Sequence, residues 1–468
     1  MTDPSTVEIA KKISSLGGRV LVAGGAARDF AASGLFAREK RPGESRADVD
    51  LCAFGLSLDK LRGVLSDFGQ TVLIRRKDGN GPSGEGSPLL STKFPGFRLE
   101  TGLPKDKTGL MAEKPFTDAN LREDAEARDF TLNAIYLDPL TDDLIDPLGG
   151  LAHLERRTLA PAHPGILESD PVRALRAMSL ISRKSFTAHP SLLKLAGRDF
   201  HLLSKVPKTR QWREWAVWAA SPRPHLGLHF LKESGLVNFY PELKNLGTLP
   251  QGERFHPEGN VWNHTVLVVE AMEKVPLPDG RSKVTLFFAA LLHDIGKLVA
   301  PSVANPERRS RSYGDHARLG VPLANKFLDS ICAPRRVAKA VARLTERHMD
   351  CAFGKIGPGA LRNVARRLAP YADLVDFWAL MTADWNGRRP WIEKFPLSLE
   401  EFLEPVGGSP LPPEDLVTGA ELAARLGIGE GPAIGRLKRL LADAHDREQI
   451  STGEEAWDLI RKNLHPER

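Results

Sequence analysis

Short apolar runs that end in glycine or turn residues mark the first part of the chain. The segments "GRVLVAGG" and "RADVDLCAF" have this form, which is typical of strands. Alternate side chains of a strand share a face, so Asp48 and Asp50 are expected to point the same way, with Val49 turned to the opposite side. The pattern predicts a mixture of short strands and helices over residues 1–150.

After residue 150 the apolar positions recur with helical spacing. Examples are "DPVRALRAMSLI", "TRQWREWAVWAAS" and "LFFAALLHDIGK", in which apolar residues return every three or four positions. Trp212, Trp215 and Trp218 follow the same spacing, which favours a packed helix face over an exposed stacking surface. The glycine-rich segment 78–88 is predicted to be a loop, and the proline-rich segment 409–415 a break between helices.

These changes of pattern divide the chain into four predicted domains. Residues 1–150 form a mixed region of strands and helices, and residues 151–250 a helical region. Residues 251–392 form a second helical region with most of the histidines of interest, and residues 393–468 a helical tail. No internal repeat is visible. A chain of 468 residues is too long for one hydrophobic core, which also predicts two to four domains.

The composition is that of an ordinary globular protein. Hydrophobic residues make up 41% of the chain and charged residues 26%, and no apolar run approaches the ~18 residues of a membrane span. The N-terminus lacks the apolar core of a signal peptide, and three cysteines are too few for a disulfide framework. These features predict a cytoplasmic protein. The net charge of +6 weakly favours a polyanionic partner.

Two glycines and two acids predict phosphate chemistry in the first region. Gly24 and Gly25 follow a predicted strand and precede a predicted helix, a turn whose backbone N–H groups can approach phosphates. Each feature alone has a simpler explanation, a tight turn or an exposed strand edge. Together with Asp48 and Asp50 the glycines fit Mg²⁺-dependent nucleotidyl transfer, because Mg²⁺ takes one or two carboxylates and completes its shell with phosphate oxygens and water.

Five motifs connect this interpretation to a known family. They are "LVAGGAARDF", "ADVDL", "ARDFTLNAIYLDP", "DPLGG" and "ESDPVRALRA", in this order. Their order and spacing resemble the class II tRNA nucleotidyltransferases and bacterial poly(A) polymerases, of the polymerase-β-like superfamily. The resemblance covers residues 15–245, and the segment "VTGAELAARLGIGEGPAIGRLKRLL" also looks like the C-terminal part of bacterial members.

The resemblance implies that several residues of the first region meet the nucleotide and its metal ion. Those that resemble the triphosphate segment are Gly24, Gly25, Arg28 and Asp29. Those that match the metal-binding pair are Asp48 and Asp50. Glu100, in "FRLETGLPK", stands where members often have a carboxylate and is a candidate third acid. An exposed strand acid explains Glu100 equally well.

The segment "ARDFTLNA" resembles "RRDFTINA" of the family. It implies that Arg128, Asp129 and Asn133 belong to the ribose and triphosphate site. The carboxylate of Asp129 could accept a hydrogen bond from a ribose hydroxyl, which would favour ribonucleotides. Ala127 stands where the family has its first arginine, so one cationic contact is missing or is supplied elsewhere. Arg210, in "TRQWREW", resembles the arginine of the family's "ER" segment.

The segment "SDPVR" stands where CCA-adding members have "EDxxR". On a helix, Asp170 and Arg173 would share a face, and a carboxylate with a guanidinium can read the Watson–Crick edge of a base. The resemblance implies that this pair, with Arg176 nearby, selects CTP and ATP. Ser169 replaces the glutamate that braces the arginine, and Glu168 is the candidate substitute. The Asp-Pro pair also suits a helix start, and both interpretations can hold at once.

A second candidate site lies in residues 251–392. Its candidate metal ligands are His264, His293, Asp294, His316, His348 and Asp384. The adjacent His293 and Asp294 lie in an apolar segment predicted to be helical, where burying both is costly unless they are paired or metal-bound. The order of these residues resembles the HD metal-dependent phosphohydrolase superfamily. That implies an open site for Mn, Fe, Co, Ni or Zn, which His316 and His348 would extend to a second ion.

The resemblances imply an α+β fold, with a polymerase-β-like nucleotidyltransferase head followed by an all-helical neck, HD domain and tail. The predicted function is Mg²⁺-dependent addition of CCA to tRNA 3′ ends from CTP and ATP, without a nucleic-acid template. Poly(A) addition is the nearest alternative. An HD phosphohydrolase with a vestigial RNA-binding head is the alternative of another class, although the carboxylates Asp48, Asp50 and Asp129 argue against it. The expected partners are tRNA, CTP and ATP, without a membrane, and the oligomeric state stays open.

Overall fold

The computed structural model describes most of the chain in two compact units. The described residues are 3–35, 49–76, 87–95, 97–106, 109–307, 309–351, 357–388, 397–429 and 431–464. Asp48 and most of the predicted glycine-rich loop, residues 78–86, lie outside them. Unit 1 comprises Met1–Trp218 and Leu226–Phe239, and unit 2 comprises Ala219–His225 and Tyr240–Arg468. The three boundaries between the four predicted domains stay predictions.

Unit 1 contains a seven-stranded mixed sheet. Its strands are β1 (Arg19–Ala23), β2 (Val49–Phe54), β3 (Gln70–Arg76), β4 (Ser87–Phe94), β5 (Phe97–Gly102), β6 (Tyr136–Leu137) and β7 (Leu144–Ile145). Their order is β3-β4-β5-β2-β1-β6-β7. Strands β2 and β5 are parallel, and the other neighbours are antiparallel. Strand β2, which begins with Val49 and Asp50, therefore lies inside the sheet between β1 and β5.

Both faces of the central strands are buried, because successive side chains alternate between two hydrophobic clusters. On β2, Leu51 and Ala53 belong to one cluster, whereas Cys52 and Phe54 belong to the other. Val49 packs against the first cluster. Asp50 therefore points to the side opposite Val49, as the alternation in the sequence predicted.

Helices cover the sheet and continue the chain up to residue 239. They are α1 (Pro4–Ser15), α2 (Gly24–Leu35), α3 (Leu58–Ser66), α4 (Asp118–Glu126), α5 (Gly150–Glu155), α6 (Ile166–Ser169), α7 (Arg173–Lys184), α8 (Pro190–Asp199), α9 (Lys208–Ala220) and α10 (Pro224–Glu233). The 3₁₀ turns are Thr131–Asn133, Phe200–Lys205 and Leu236–Phe239. A short parallel pair, β8 (Thr158–Leu159) and β9 (Thr187–Ala188), is the one pair of strands in the predicted neck among the described residues, so the prediction of an all-helical neck is wrong at this pair.

The tryptophans of α9 form part of the hydrophobic core. Trp215 and Trp218 are fully buried, and their rings meet edge to face with centroids 5.1 Å apart. This is the favoured geometry for an aromatic pair. The predicted packed helix face is confirmed for these two residues. Truncation of either ring to alanine is expected to cost roughly 3–5 kcal/mol of stability.

Unit 2 is mostly helical. Its helices are α11 (Pro241–Lys244), α12 (Val261–Met272), α13 (Lys283–Leu292), α14 (His316–Ser330), α15 (Arg335–Arg347), α16 (Pro358–Leu368), α17 (Leu374–Asn386), α18 (Leu399–Leu403), α19 (Gly419–Leu426), α20 (Pro432–Asp446) and α21 (Gly453–Leu464). The 3₁₀ turns are Leu246–Thr248, Ile295–Leu298, His348–Cys351 and Glu404–Val406. One antiparallel hairpin, β10 (Ser302–Asn305) and β11 (Ser310–Tyr313), interrupts the helices.

Helix α13 forms the centre of unit 2. Its residues from Thr285 to Leu292 are all buried, as expected for a helix that is apolar on every side. Ser282 caps its N-terminus, because its side chain accepts a hydrogen bond from the backbone N–H of Thr285. Helices α12, α15 and α17 pack against α13. The C-terminal end of α13 is thereby held inside a ring of other helices.

The tail has its own small core. Buried side chains of α19, α20 and α21, such as Leu422, Leu441 and Ile460, form one cluster. Thr418 and Glu421 form a capping box at the start of α19, which fixes where that helix begins. Among the described residues, none of the helices combines the length and the apolarity that crossing a bilayer requires.

Candidate active sites

The turn between β1 and α2 requires glycine at its first position. Gly24 has φ +67°, a conformation that most side chains disfavour. A Cβ atom at this position would lie 3.4 Å from Oδ2 of Asp50 and 3.8 Å from Nη1 of Arg128. Helix α2 begins at Gly24, so the first N–H groups of that helix face this place. The predicted strand–glycine–helix arrangement is therefore present, with a carboxylate and a guanidinium beside it.

A second carboxylate lies beside Asp50. In the parallel register of β2 and β5, Asp50 pairs with Glu100, and paired residues on neighbouring strands point to the same face. Glu100 is buried, with 6% of its surface exposed. The interpretation of Glu100 as an exposed strand acid is therefore wrong. The candidate pair in the described residues is Asp50 with Glu100, and Asp48 lies outside the described residues.

A hydrogen-bond chain connects α2 with the 3₁₀ turn at 131–133. Arg28, which is buried, donates from Nη1 to Oδ1 of Asn133 at 2.7 Å and from Nη2 to Oδ1 of Asp29 at 2.9 Å. Asn133 in turn donates from Nδ2 to Oδ1 of Asp129 at 2.8 Å. The structure thus brings together four of the residues that the sequence assigned to the triphosphate and ribose.

Asp129 is held as a carboxylate. Burial acts to raise its pKa, but Arg176 and Arg173, together with hydrogen bonds from Asn133 and the N–H of Phe130, lower the pKa below its usual value. Oδ1 accepts both of those hydrogen bonds, and Oδ2 lies 3.3 Å from Nη1 of Arg176. One lone pair of Oδ2 is therefore left to accept a further hydrogen bond.

Arg128 is fixed by two residues that the sequence analysis missed. It donates to Oδ2 of Asp124 from Nε at 3.1 Å and from Nη2 at 2.9 Å. The hydroxyl of Tyr136 donates to the same oxygen at 2.5 Å. Burial acts to raise the pKa of Asp124, but Arg128 and Tyr136 lower it, so the carboxyl stays ionised. Asp124 is four residues before Arg128 on the chain, and this helical spacing was a usable clue.

The segment around Asp170 differs from its predicted geometry. Helix α6 ends at Ser169, Asp170 has an extended backbone, and α7 begins at Arg173. The prediction that Asp170 and Arg173 share one helix face is therefore wrong, because a turn separates them. Helix α7 has Val172 as its N-cap residue and no side-chain cap bond, so the predicted N-cap role of Asp170 is also wrong.

Each member of this pair has its own partner. Asp170 accepts from Nη2 of Arg210 at 2.8 Å. Arg173 donates to the carbonyl of Ala127 at 2.9 Å and to Oγ of Ser169 at 3.2 Å. Ser169 thus contacts the arginine that the family's glutamate is expected to brace.

The proposed substitute for that glutamate lies elsewhere. Glu168 pairs with Arg198 at 2.8 Å, and its side chain is 63% exposed. The prediction that Glu168 replaces the missing glutamate is therefore wrong. Arg176, the last residue assigned to this site, bridges two acids, with Asp129 at 3.3 Å and Glu214 at 3.4 Å.

The second site collects residues from the ends of five helices. His264 lies on α12, and Asp384 near the end of α17. His293 directly follows α13, and His348 directly follows α15. All six predicted ligands are between 0% and 7% exposed, and His316 is the first residue of α14. His293 and Asp294 were expected inside an apolar helix, but they lie at its junction with the turn Ile295–Leu298 because α13 ends at Leu292.

Asp294 lies at the centre of this cluster. Its Oδ2 is 3.3 Å from Nε2 of His293 and 3.8 Å from Nε2 of His264. Its Oδ1 faces the other way, 3.2 Å from Nε2 of His316 and 3.6 Å from Nε2 of His348. The two carboxylate oxygens thus face two different sets of imidazole nitrogens.

Asp384 completes the first of these sets. Its Oδ1 lies 2.9 Å from Nε2 of His264 and 4.0 Å from Nε2 of His293. Donor atoms bound to one ion at about 2.1 Å stand about 3 Å apart when they are neighbours in its coordination shell. The shorter of the two distances matches that spacing.

Backbone carbonyls orient three of the imidazole rings. The Nδ1 atoms of His293, His316 and His348 lie 2.8–2.9 Å from the carbonyl oxygens of Ala290, Tyr313 and Thr345. A carbonyl oxygen only accepts, so Nδ1 is the donor in each ring and Nε2 faces the carboxylates. Nε2 of His293 has no hydrogen-bond partner among the described residues although it is buried. Ring nitrogens that converge in this way fit a metal ion.

Two cations keep the acids of the cluster ionised. Nζ of Lys297 lies 2.6 Å from Oδ2 of Asp294, and Nη2 of Arg388 lies 3.1 Å from Oδ2 of Asp384. Burial acts to raise the pKa of each carboxyl, but Lys297 and His293 hold that of Asp294 well below its usual range. Arg388 and His264 do the same for Asp384.

Two further residues of this site were missed by the sequence analysis. Glu258 and His256 precede α12, and Oε1 of Glu258 lies 2.9 Å from Nδ1 of His256 and 2.8 Å from Nδ1 of His264. Burial acts to raise the pKa of Glu258, but both histidines lower it to about 2. Burial lowers the pKa of His256 to about 4. The segment "HPEGN" ahead of the apolar α12 carried the only local clue.

The fold and the two sites define a class of protein before any comparison. A mixed sheet with a glycine turn beside acids on adjacent strands is the arrangement of a nucleotidyltransferase head. A buried cluster of His, His-Asp and Asp on packed helices is the arrangement of an HD-type metal site. Residues 20–160 match the poly A polymerase head domain, and residues 261–377 match the HD domain.

Curated relatives identify the family. One is the A-adding tRNA nucleotidyltransferase of Deinococcus radiodurans, 31% identical over 73% of this chain and 79% of that protein. Another is the CC-adding tRNA nucleotidyltransferase of Thermus thermophilus, 31% identical over 72% of this chain and 76% of that protein. The multifunctional CCA protein of Hahella chejuensis is 29% identical over 76% and 85%. The chain therefore belongs to the tRNA nucleotidyltransferase family, and the predicted family and enzyme class are confirmed.

Solved structures share the fold. The CCA-adding enzyme of Bacillus stearothermophilus, in complex with CTP, matches with a TM-score of 0.60 at 18% identity and 99% coverage of both chains. The CCA-adding enzyme of Thermotoga maritima, complexed with tRNA, matches with a TM-score of 0.57 at 15% identity, over 98% of this chain and 96% of that one. At these identities the likeness shows the fold alone, and the predicted fold class is confirmed.

Proposed function

We propose that this chain adds CCA to the 3′ ends of tRNA, using CTP and ATP without a nucleic-acid template. The observation that carries the proposal is the pairing of Asp50 with Glu100 beside the turn at Gly24. Phosphate-binding backbone and paired carboxylates are the two components that nucleotidyl transfer needs. A cytoplasmic location is proposed with this function.

The donor set of the head fits Mg²⁺. Asp50 and Glu100, with Asp48, would hold the ion, since all three offer the oxygen ligands that Mg²⁺ prefers. When bound, Mg²⁺ supplies charge neutralisation at the phosphates and lowers the pKa of the attacking hydroxyl. The N–H groups at the start of α2 orient the triphosphate, and Arg28 adds a buried guanidinium beside it.

Selection of the ribose is assigned to Asp129. Its Oδ2 keeps one accepting lone pair, and its ionised state lets it accept a hydrogen bond from a ribose hydroxyl. Asn133 and the N–H of Phe130 hold the carboxylate in place. A deoxyribonucleotide would leave this buried acceptor without that partner, which costs about 1–3 kcal/mol.

Selection of the base is assigned to Asp170 and Arg173. Cytosine and adenine both offer an amino donor next to a ring-nitrogen acceptor, whereas guanine and uracil offer the reverse. A carboxylate next to a guanidinium matches the first pattern and opposes the second. Arg210 fixes Asp170, and Ser169 and the carbonyl of Ala127 fix Arg173. The turn between them does not prevent this role, because each side chain is held by its own partner.

Nucleotide incorporation tests the proposal directly. Purified protein is incubated with tRNAs that end before CCA, after the first C and after CC, each with CTP, ATP or both. We expect two C additions followed by one A. If A is added and only the tRNA ending in CC is a substrate, the proposal is contradicted in favour of an A-adding enzyme. If addition stops after CC, it is contradicted in favour of a CC-adding enzyme. If tails of open-ended length form, it is contradicted in favour of a poly(A) polymerase.

We also propose a metal-dependent phosphohydrolase activity for the cluster around Asp294. His264, His293, Asp294 and Asp384 would hold one transition-metal ion, and His316 and His348 would extend the site through the second oxygen of Asp294. Such an ion, when bound, activates water. The buried Nε2 of His293, which lacks a hydrogen-bond partner among the described residues, favours this candidate. Hydrolysis of a 2′,3′-cyclic phosphate with Mn²⁺, Co²⁺ or Ni²⁺ is the test.

A further inference from the structure

His264 differs from the other three histidines of the HD cluster. His293, His316 and His348 give their Nδ1 protons to backbone carbonyls. His264 instead has a carboxylate on each side, with Nε2 at 2.9 Å from Asp384 and Nδ1 at 2.8 Å from Glu258. The form of imidazole that binds a metal ion is neutral and carries one proton, so in that form His264 satisfies only one of these two acids at a time.

A metal ion decides which nitrogen of His264 carries the proton. If Nε2 binds the ion beside Asp384, the proton must lie on Nδ1, where the nearest acceptor is Oε1 of Glu258. Lone pairs of two atoms 2.8 Å apart repel, so Glu258 favours the protonated Nδ1. The two atoms are close without a well-aligned hydrogen bond. Glu258 is itself buried, and its Oε1 also lies 2.9 Å from Nδ1 of His256, which restrains the carboxylate.

We propose that Glu258 is a positioning residue of the HD site, which sets the tautomer of His264 and raises the basicity of its Nε2 toward the metal. The inference rests on the proposed metal-dependent activity. A separate metal site is an alternative, because one donor atom from each of His256, Glu258 and His264 lies close enough to the others to bind a single ion. That alternative is disfavoured, because an ion on Nδ1 would require a doubly deprotonated His264 once Nε2 binds the first ion.

The test compares two buried glutamates of unit 2. Glu258→Gln removes the charge beside His264 at nearly constant volume. Glu242→Gln is the matched control, because the Glu242 side chain is equally buried, 4% exposed, and pairs with Lys326 instead. The full-length wild type and both variants are titrated with Mn²⁺ and with Co²⁺ alone by calorimetry, and the visible absorption of bound Co²⁺ is recorded. The variant His264→Gln is titrated in the same way, and the metal-binding step that it lacks is the one that requires His264.

We expect Glu258→Gln to weaken the metal-binding step that is lost in His264→Gln by about 10–100-fold, and to shift the visible absorption of bound Co²⁺. The thermal stability of the control Glu242→Gln is expected to equal that of Glu258→Gln or to be lower, so that a loss of stability does not explain the weaker binding. Equal metal affinity and an unchanged spectrum in Glu258→Gln would overturn the positioning role while leaving the proposed activity in place. A wild type that binds neither ion would overturn both, so the two failures are distinguishable.

A separate feature of unit 2 is a basic stripe on α15, defined as Arg335, Arg336, Lys339 and Arg343. All four side chains are exposed, and at 100° per residue they lie within about one quarter to one third of the helix circumference. Helix α15 carries five cations and one acid, Glu346. Its net charge of +4 compares with +6 for the whole chain.

These charges are poorly neutralised by the protein itself. Arg335, Arg336 and Lys339 have no ion-pair partner in the described part of the chain, and Arg343 contacts Glu346 at 3.3 Å. The stripe extends over nine residues, and its eight steps of 1.5 Å make a length of about 12 Å. One strand of a nucleic-acid duplex presents three to four phosphates over about that length, at roughly 3.4 Å each.

We infer that the α15 stripe binds the phosphate backbone of the RNA substrate, an inference that rests on the proposed action on tRNA. Contacts to phosphate position the RNA without reading its sequence. Each phosphate neutralised releases counterions, so the contact is expected to appear in the salt dependence of binding rather than in base choice.

The test neutralises the stripe and, as a matched control, four other exposed cations of unit 2. The stripe variant is Arg335→Gln, Arg336→Gln, Lys339→Gln and Arg343→Gln. The control variant is Lys274→Gln, Lys283→Gln, Arg461→Gln and Lys462→Gln. Affinity for tRNA is measured by fluorescence anisotropy from 50 to 200 mM salt. We expect the stripe variant to bind about 10–100-fold more weakly at low salt, with a slope of log K against log salt reduced by about 3. A slope and affinity equal to those of the control would overturn the inference.

Discussion

The head site and the HD site differ in how far their acids are exposed. In the head, Glu100 is buried, but Asp50 is partly exposed and Asp29 is 52% exposed at the side chain. In the HD cluster all six predicted ligands are buried, and imidazoles outnumber carboxylates. A site of oxygen ligands that admits a triphosphate suits Mg²⁺, whereas a closed set of imidazoles suits a transition metal. Donor type and exposure therefore distinguish the two candidate sites within one chain.

The comparison predicts that the two activities can be removed one at a time. Asp50→Ala removes a carboxylate of the head only. We expect nucleotide addition to fall by roughly 10³-fold or more, because charge at the phosphates is left uncompensated, with cyclic-phosphate hydrolysis unchanged. Both assays on the same purified variant measure this. Near-normal addition by Asp50→Ala would remove the basis for the head site.

The reciprocal change is made in the HD cluster. His293→Gln with Asp294→Asn keeps side-chain volume but removes two predicted ligands. We expect hydrolysis of a 2′,3′-cyclic phosphate to fall by about 10²-fold or more and the content of bound transition metal to drop, with addition to tRNA nearly unchanged. Metal content by mass spectrometry accompanies the two assays. Full hydrolysis by this variant would contradict the assignment of the cluster.

Metal replacement sharpens the contrast without a mutation. After chelation, the protein is assayed with Mg²⁺, Mn²⁺ or Ni²⁺ alone. We expect addition to be at least about tenfold faster with Mg²⁺ than with Ni²⁺, and hydrolysis to show the reverse order, because imidazole ligands favour transition metals. The same metal preference in both assays would show that ligand type does not separate the sites.

Base selection is a smaller effect within the head. Arg173→Ala removes the guanidinium held by Ser169 and Ala127. We expect discrimination of CTP and ATP against GTP and UTP to fall by about 1–3 kcal/mol, or roughly 5- to 150-fold, with less change in triphosphate affinity. Competition between nucleotides on one tRNA gives the ratio. An unchanged ratio with a lower rate would assign Arg173 to packing.

The smallest effect concerns the bracing of Arg128. Tyr136→Phe removes the hydrogen bond that the hydroxyl donates to Asp124 and the one that it accepts from Nε of Arg128, and leaves the ion pair between Asp124 and Arg128 in place. We expect a loss of about 0.5–1.5 kcal/mol of unfolding free energy, measured by denaturant titration, and a modest loss of addition. An unchanged stability would mean that the ion pair alone fixes Arg128.

The sequence predicted the elements better than their exact ends. The strand before Gly24, the alternation around Val49 and the packed face of α9 follow from apolar spacing, which a local pattern encodes. The end of α13 at Leu292 and the turn before Arg173 do not follow from apolar spacing. Helix ends depend on which carbonyl and N–H groups find partners in the folded chain, and the packing around His293 and Asp170 supplies those partners.

The sequence by itself determined the chemical types present: paired acids, a glycine turn, and the ordered His, His-Asp and Asp. Tertiary structure alone decided the partners. Arg210 reaches Asp170 across 40 residues, His264 meets Asp384 across 120, and the burial of Glu100 excludes its interpretation as a surface acid. The physical reason is that local periodicity places a residue on a face, whereas the partner it meets depends on how distant elements pack, which a single helical or strand repeat does not encode.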